Sequence, residues 1–411
     1  MVQFVRHQLS NGLQVLVYPD HSTPMAAIDV CYHVGSKDED PNRTGFAHLF
    51  EHLMFGGSKH IPDYDLPLQQ AGGENNAWTT NDMTNYYLTL PAANMETGFW
   101  LESDRMLELA FSEESLNIQR NVVIEEFKQR NLNQPYGDVW ALIRDLAYQV
   151  HPYRWPTIGK EISHIAEATL DEVKSFFYRF YAPDNAVLIV GGNVRVDESL
   201  RLAEKWFGPI PSRQVKKPLL PAEPPQTAFR EKTVKRQVPD TAIYMAFHMD
   251  DHRSRGYYIC DLISDILSNG NSSRLYQSLV KGERLFVELD SYVSGDHDRG
   301  LFLISGKLSK NVSVARAARA IWKELDRLKR DLVAAAELEK VKNKQEANYI
   351  MSQMNYLNIA QELAACENID NAGLINQQLD YYRSISSEDI REKACNLFRT
   401  ENCSQLNYLT Q

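Results

Sequence analysis

The chain switches repeatedly between the two-residue alternation of a strand and the three-to-four-residue spacing of an amphipathic helix. Residues 25–58, MAAIDVCYHVGSKDEDPNRTGFAHLFEHLMFGGS, predict a strand, a charged turn and an apolar helix that stops at Gly and Ser. Residues 241–273, TAIYMAFHMDDHRSRGYYICDLISDILSNGNSS, repeat that order. Each half also closes on the same unit: an amphipathic helix at 170–181 before a strand at 185–190, and a helix at 386–398 before a strand at 404–409. Between the halves, residues 209–225, PIPSRQVKKPLLPAEPP, have the Pro- and Lys-rich composition of a semi-extended connector.

These patterns, with hairpin turns such as Asn11-Gly12, predict an α+β protein. Two homologous α/β sandwich domains are expected, each an antiparallel-rich sheet packed by helices. The expected bounds are a first domain at 1–208, a Pro-rich linker at 209–235 and a second domain at 236–411. Length leads to an expectation of two domains or more, because 411 residues exceed the ~250–300 that one core ordinarily holds.

Composition narrows the function. The formal charge of −10, from 44 Lys+Arg against 54 Asp+Glu, argues against nucleic acid or an anionic membrane as partner. No apolar run approaches the ~20 residues of a spanning helix. The opening MVQFVRHQLSNGLQVLV has no secretory-signal pattern, which points to the cytoplasm, or to the periplasm if a signal has been removed. Cys31, Cys260, Cys366, Cys395 and Cys403 are scattered and form no C-x-x-C pair, so neither a disulfide framework nor a thiolate metal site is expected.

The duplication makes one difference between the halves informative. In the first helix, His48 and His52 are four residues apart and project from one face, close enough to meet a single ion at about 2.0–2.1 Å each. Glu51 lies on the same side, where its carboxylate can take a proton from a metal-bound water. Three polar groups among Phe46, Leu49, Phe50, Leu53, Met54 and Phe55 would be costly to bury without a purpose. The second half offers Asp261, Ser264 and Asp265 there, or Ile259, Leu262 and Ile263 in a register shifted by two. Neither is a zinc ligand set. A third ligand is needed, and the helix predicted over 113–130, with Leu116, Val122, Val123 and Phe127 as its apolar stripe, carries both Glu125 and Glu126.

The H-x-x-E-H order is the inverzincin pattern. With Gly72–Thr79 (GGENNAWT), Asp82, Thr84–Tyr87 (TNYY) and His151-Pro152-Tyr153, the chain resembles the pitrilysin family of zinc metallopeptidases, in a short two-repeat form like the processing-peptidase subunits. The resemblance implies a zinc endopeptidase with one Zn2+ per chain, held by His48, His52 and Glu126, with Glu51 as general base. It also implies that Asn76, Ala77, Trp78 and Thr79 lie on an exposed edge strand against which substrate pairs, as an unpaired strand edge allows.

Two departures from the family pattern matter. Gln119, seven residues before Glu126, stands where relatives carry a carboxylate. Val280 and Val287 occupy the places of an Arg and a Tyr that hold substrate and the developing oxyanion, unless Lys281 or Arg284 substitutes. A homologous partner subunit supplying that pair in a heterodimer is therefore expected, or else a homodimer using other donors. The alternative is a non-catalytic scaffold subunit of the same fold that keeps its zinc.

Overall fold

The computed structural model describes residues 1–411. Eleven strands form two sheets. The first contains β1 (Val5–Gln8), β2 (Gln14–Pro19), β3 (Met25–Tyr32), β4 (Glu74–Thr79), β5 (Thr84–Pro91) and β6 (Ala186–Gly192), in the order β1-β2-β6-β3-β5-β4. The second contains β7 (Arg230–Arg236), β8 (Ala242–His248), β9 (Phe286–Val293), β10 (Leu301–Leu308) and β11 (Cys403–Thr410), in the order β7-β11-β8-β10-β9.

Without β1, the two orders are the same. In each sheet the first pair is parallel (β2 with β6, β7 with β11) and the following three are antiparallel. Shared strand order and shared hydrogen-bond sense are the structural form of the duplication. The expected antiparallel-rich α+β sandwich halves are present.

Burial shows how each sheet is covered. Every residue of β6, AVLIVGG, is buried, as a strand packed on both faces must be. Ala186, Leu188 and Val190 join a core with Phe46, Leu49 and Phe50 of the helix Phe46–Leu53 and with Phe99, Phe177 and Phe207. The opposite face of β6 and β3 is covered by the helix Tyr356–Ile369, on which Ala360 approaches Gly191. In the second sheet, Ile243, Met245 and Phe247 of β8 pack on the helices Arg255–Ser268 and Val314–Arg330. The other face, with Ala242 and Ala246, meets Val139, Ile143 and Ala147 of the helix Val139–Ala147.

Each sheet is thus covered on one side by a helix from the other half of the sequence. The compact units are consequently interleaved: 1–129, 155–220 and 350–376 form one, and 130–154, 221–349 and 377–411 the other. They are not the contiguous spans 1–208 and 236–411, because an amphipathic helix carries no mark of which sheet it will cover. The expected linker at 209–235 also differs, since its last six residues lie in β7. Its earlier part is pinned: Arg213 and Val215 donate backbone N–H groups to Asp184 at 2.9 and 2.8 Å. No helix is long and apolar enough to cross a membrane.

Candidate metal centre

The helix Phe46–Leu53 begins without a conventional cap. Its N-cap is Gly45, which has no side chain to accept the orphan N–H groups and sits at φ +92°, a conformation glycine adopts without strain. A Cβ there would meet Ile158 O and Ile165 Cδ1 at 2.9 Å, so nothing larger fits. The caps come from Glu39, which the sequence reading did not single out. One of its oxygens accepts the Gly45 N–H and the other the Ala47 N–H, both at 2.9 Å.

Buried apolar side chains hold this helix in the core, leaving one polar face. His48 is 7% exposed, while Glu51 and His52 are half-buried. That face meets the helix Glu113–Phe127, which starts at Ser112, whose hydroxyl accepts the Ser115 N–H, and buries Leu116 and Val123. Val122, expected in the apolar stripe, is 45% exposed, because the buried arc of this helix is narrower than the pattern implies. Glu126 Oε2 lies 3.3 Å from His52 Nε2 and 3.6 Å from His48 Nε2. Glu125 points away, bonded to Lys128 at 2.7 Å with its side chain 63% exposed.

The separations test whether a metal fits. Charge-assisted hydrogen bonds between such groups run about 2.7–2.9 Å. Donors on a tetrahedral zinc with bonds of about 2.0–2.1 Å lie about 3.3–3.4 Å apart. The His52–Glu126 spacing matches the second value and the His48–Glu126 spacing is slightly wider, and one donor atom from each of the three residues lies within 4.8 Å of the others. The imidazole rings stand edge-on at 83°, 4.9 Å between centroids, so both can aim a nitrogen at one point. Two imidazoles and a carboxylate at these spacings fit a zinc-like cation, which His48, His52 and Glu126 would hold.

Glu51 is on the same helix face, and Thr79 Oγ1 donates to its Oε2 at 2.6 Å. Thr79 belongs to β4, the terminal strand of the first sheet, paired only with β5. Asn76 is exposed, and Ala77, Trp78 and Thr79 are half-buried along that edge. The structure thus brings His48, His52 and Glu126 together, with Glu51 beside β4. Val280 lies in the short π-helix Tyr276–Gly282, and Val287 on β9 is 63% exposed. Gln119 is half-buried on the face of its helix.

In the second unit, the helix Arg255–Ser268 presents Asp261 and Asp265, while Ile259, Leu262 and Ile263 enter the core. This decides between the two registers left open by the sequence. Asp261 and Asp265 meet Gln345 of the helix Ala335–Ser352, whose Nε2 donates to Asp261 at 3.1 Å and Asp265 at 2.9 Å. Tyr382 adds a 2.7 Å bond to Asp261, and Asn269 a bond to Asp265. Burial first, and the charge of Asp265 second, push the Asp261 carboxyl up to about 6 against the Tyr382 bond.

Comparison with known proteins agrees with this division. Residues 14–160 match the model of the insulinase family (peptidase family M16), and residues 167–345 match the peptidase M16 inactive domain. The chain is 31% identical over 348 residues to the zinc protease PqqE of Helicobacter pylori, covering 83% of this chain and 78% of that protein. It is 26% identical to the zinc protease YmxG of Bacillus subtilis, covering 84% of each. A crystal structure of a protease from Helicobacter pylori superposes with a TM-score of 0.93 at 26% identity, over 99% of this chain and 100% of that one. Pitrilysin shares the fold at 17% identity and a TM-score of 0.79, over 99% of this chain but 45% of its own.

Proposed function

The chain belongs to the insulinase, or M16, peptidase family, and from that premise we propose that it is a zinc-dependent endopeptidase acting on peptides or unfolded segments. The observation that carries the reading is the meeting of His48, His52 and Glu126, with donor atoms within 4.8 Å of one another and Glu51 on the same helix face. Those three residues would hold one zinc ion per chain. When bound, zinc supplies a Lewis acid and lowers the pKa of a water toward ~7.

The chain's own residues perform the remaining work. Glu51 takes a proton from the attacking water as its oxygen bonds the scissile carbonyl carbon, and returns the proton to the amide nitrogen as the C–N bond breaks. Thr79 orients the Glu51 carboxylate through its 2.6 Å hydrogen bond. The β4 edge, at Asn76–Thr79, pairs with the backbone of an extended substrate. Such pairing selects unfolded segments, because a folded chain has already used its backbone groups.

By the family resemblance, Val280 and Val287 stand in the places of the oxyanion and substrate donors, and neither side chain can donate. A homologous partner subunit would supply that pair and close a chamber around the site. The test is hydrolysis of a quenched peptide, alone and with co-purifying subunits, by wild type and Glu51→Gln at equal zinc content. A loss of about 10²–10⁴-fold in the variant is expected. Unchanged hydrolysis would remove Glu51 from the mechanism. Zinc binding with no hydrolysis in any combination would favour the scaffold reading.

A further inference from the structure

The helix that carries the two histidines is held by a carboxylate from outside it. Glu39 lies six residues before Gly45 and is 6% exposed, with its two oxygens on the N–H groups of Gly45 and Ala47. Burial pushes its carboxyl up to about 8, and the Ala47 and Gly45 N–H groups and the Trp155 side chain hold it down. A buried carboxylate is an expensive way to end a helix when Ser, Thr, Asp or Asn at the N-cap would serve. Gly45 is barred from carrying one by the contacts with Ile158 and Ile165. The corresponding helix of the second unit starts at Ser254, whose side chain makes no cap bond, and that unit has no comparable ligand set.

We propose that Glu39 is a positioning residue for the metal site, fixing the first turn of the helix so that His48 and His52 meet Glu126. The inference rests on the zinc-peptidase reading. Ala47 immediately precedes His48, and the two bonds fix both the rotation and the axial position of that turn. A bond to Gly45 alone would leave the turn free to swivel about it. A metal site tolerates only small errors, because metal–ligand distances hold within about 0.2 Å and a displaced histidine weakens its hold on an ion shared with Glu126.

The test compares wild type, Glu39→Gln and Glu39→Asp as full chains. Three quantities are read: zinc affinity by competition with a chromophoric chelator, amide exchange at Gly45 and Ala47, and kcat and KM on a quenched peptide. Gln presents an NH2 to one of the two donors, and Asp is too short to reach both. Zinc affinity should fall by about 10–100-fold in Glu39→Gln, the range for groups that orient metal ligands, and by less in Glu39→Asp. Exchange at both amides should accelerate, and kcat should fall while KM holds, with excess zinc restoring part of it. If either variant loses thermal stability but keeps wild-type zinc affinity, the role is structural and the proposal fails. If Glu39→Gln does not fold, Glu39→Asp decides by the same criterion. Wild type that binds no zinc would instead overturn the metallopeptidase reading.

Discussion

In the first unit, His48 and His52, one helical turn apart, face Glu126 on a second helix. In the second, Asp261 and Asp265, with the same four-residue spacing, face Gln345 on a second helix. The framework is shared and the chemistry differs. Two imidazoles and a carboxylate converge lone pairs on one point, and a cation satisfies that set. Two carboxylates facing an amide and a phenol satisfy one another, since Gln345 and Tyr382 supply the protons. Residue identity, more than backbone geometry, separates a candidate metal centre from a closed hydrogen-bond network.

The largest expected effect comes from breaking the two sites in parallel. His52→Ala should lose zinc and bring peptide hydrolysis to background, while Asp265→Ala should leave zinc content and hydrolysis unchanged, by metal analysis and a quenched-peptide assay. Loss of zinc from both variants would mean that the units are not chemically independent. A sharper test grafts one site onto the other. Asp261→His, Asp265→His and Gln345→Glu together should raise zinc stoichiometry from one to two per chain. A stoichiometry held at one would show that the two helix pairs differ in geometry as well as chemistry.

A smaller effect is expected from Gln345→Leu, which leaves both aspartates without the amide they share. It should destabilise the protein by about 1–3 kcal/mol, the cost of removing a donor from a buried acceptor, read as a lower Tm or unfolding midpoint with zinc content intact. The smallest is a pH effect. Asp261 is raised from 3.8 to about 6, so the folded state holds its proton more tightly than the unfolded state. Its contribution to stability is full below pH 3.8 and is lost as pH rises through about 6. The stability of Asp261→Asn relative to wild type should therefore climb across that window, measured by unfolding at pH 3.5, 5 and 7. A flat difference would place the proton elsewhere in the cluster.

Much of the site was legible because its signals are local. A four-residue spacing on a helix puts two side chains on one face wherever that helix goes, so His48, Glu51 and His52 could be read together. Choosing Glu126 over Glu125 needed the family resemblance, since both lie on the same turn; the structure turns Glu125 out to Lys128. The β4 edge was legible from the resemblance, but the Thr79–Glu51 hydrogen bond was not. Glu39 escaped notice because a cap supplied from six residues back leaves no pattern at the helix start.

The sequence by itself determined the order of elements, the duplication and the three polar residues on the apolar helix, because each depends on periodicity or short-range spacing. Tertiary structure alone decided that the helices Val139–Ala147 and Tyr356–Ile369 each cover the sheet of the other half. An amphipathic stripe specifies that a face will be buried without specifying against what. It also decided that Glu126 reaches His48 and His52, and that Gln345 reaches Asp261 and Asp265. Contacts between residues so far apart in sequence exist only once the intervening chain has packed.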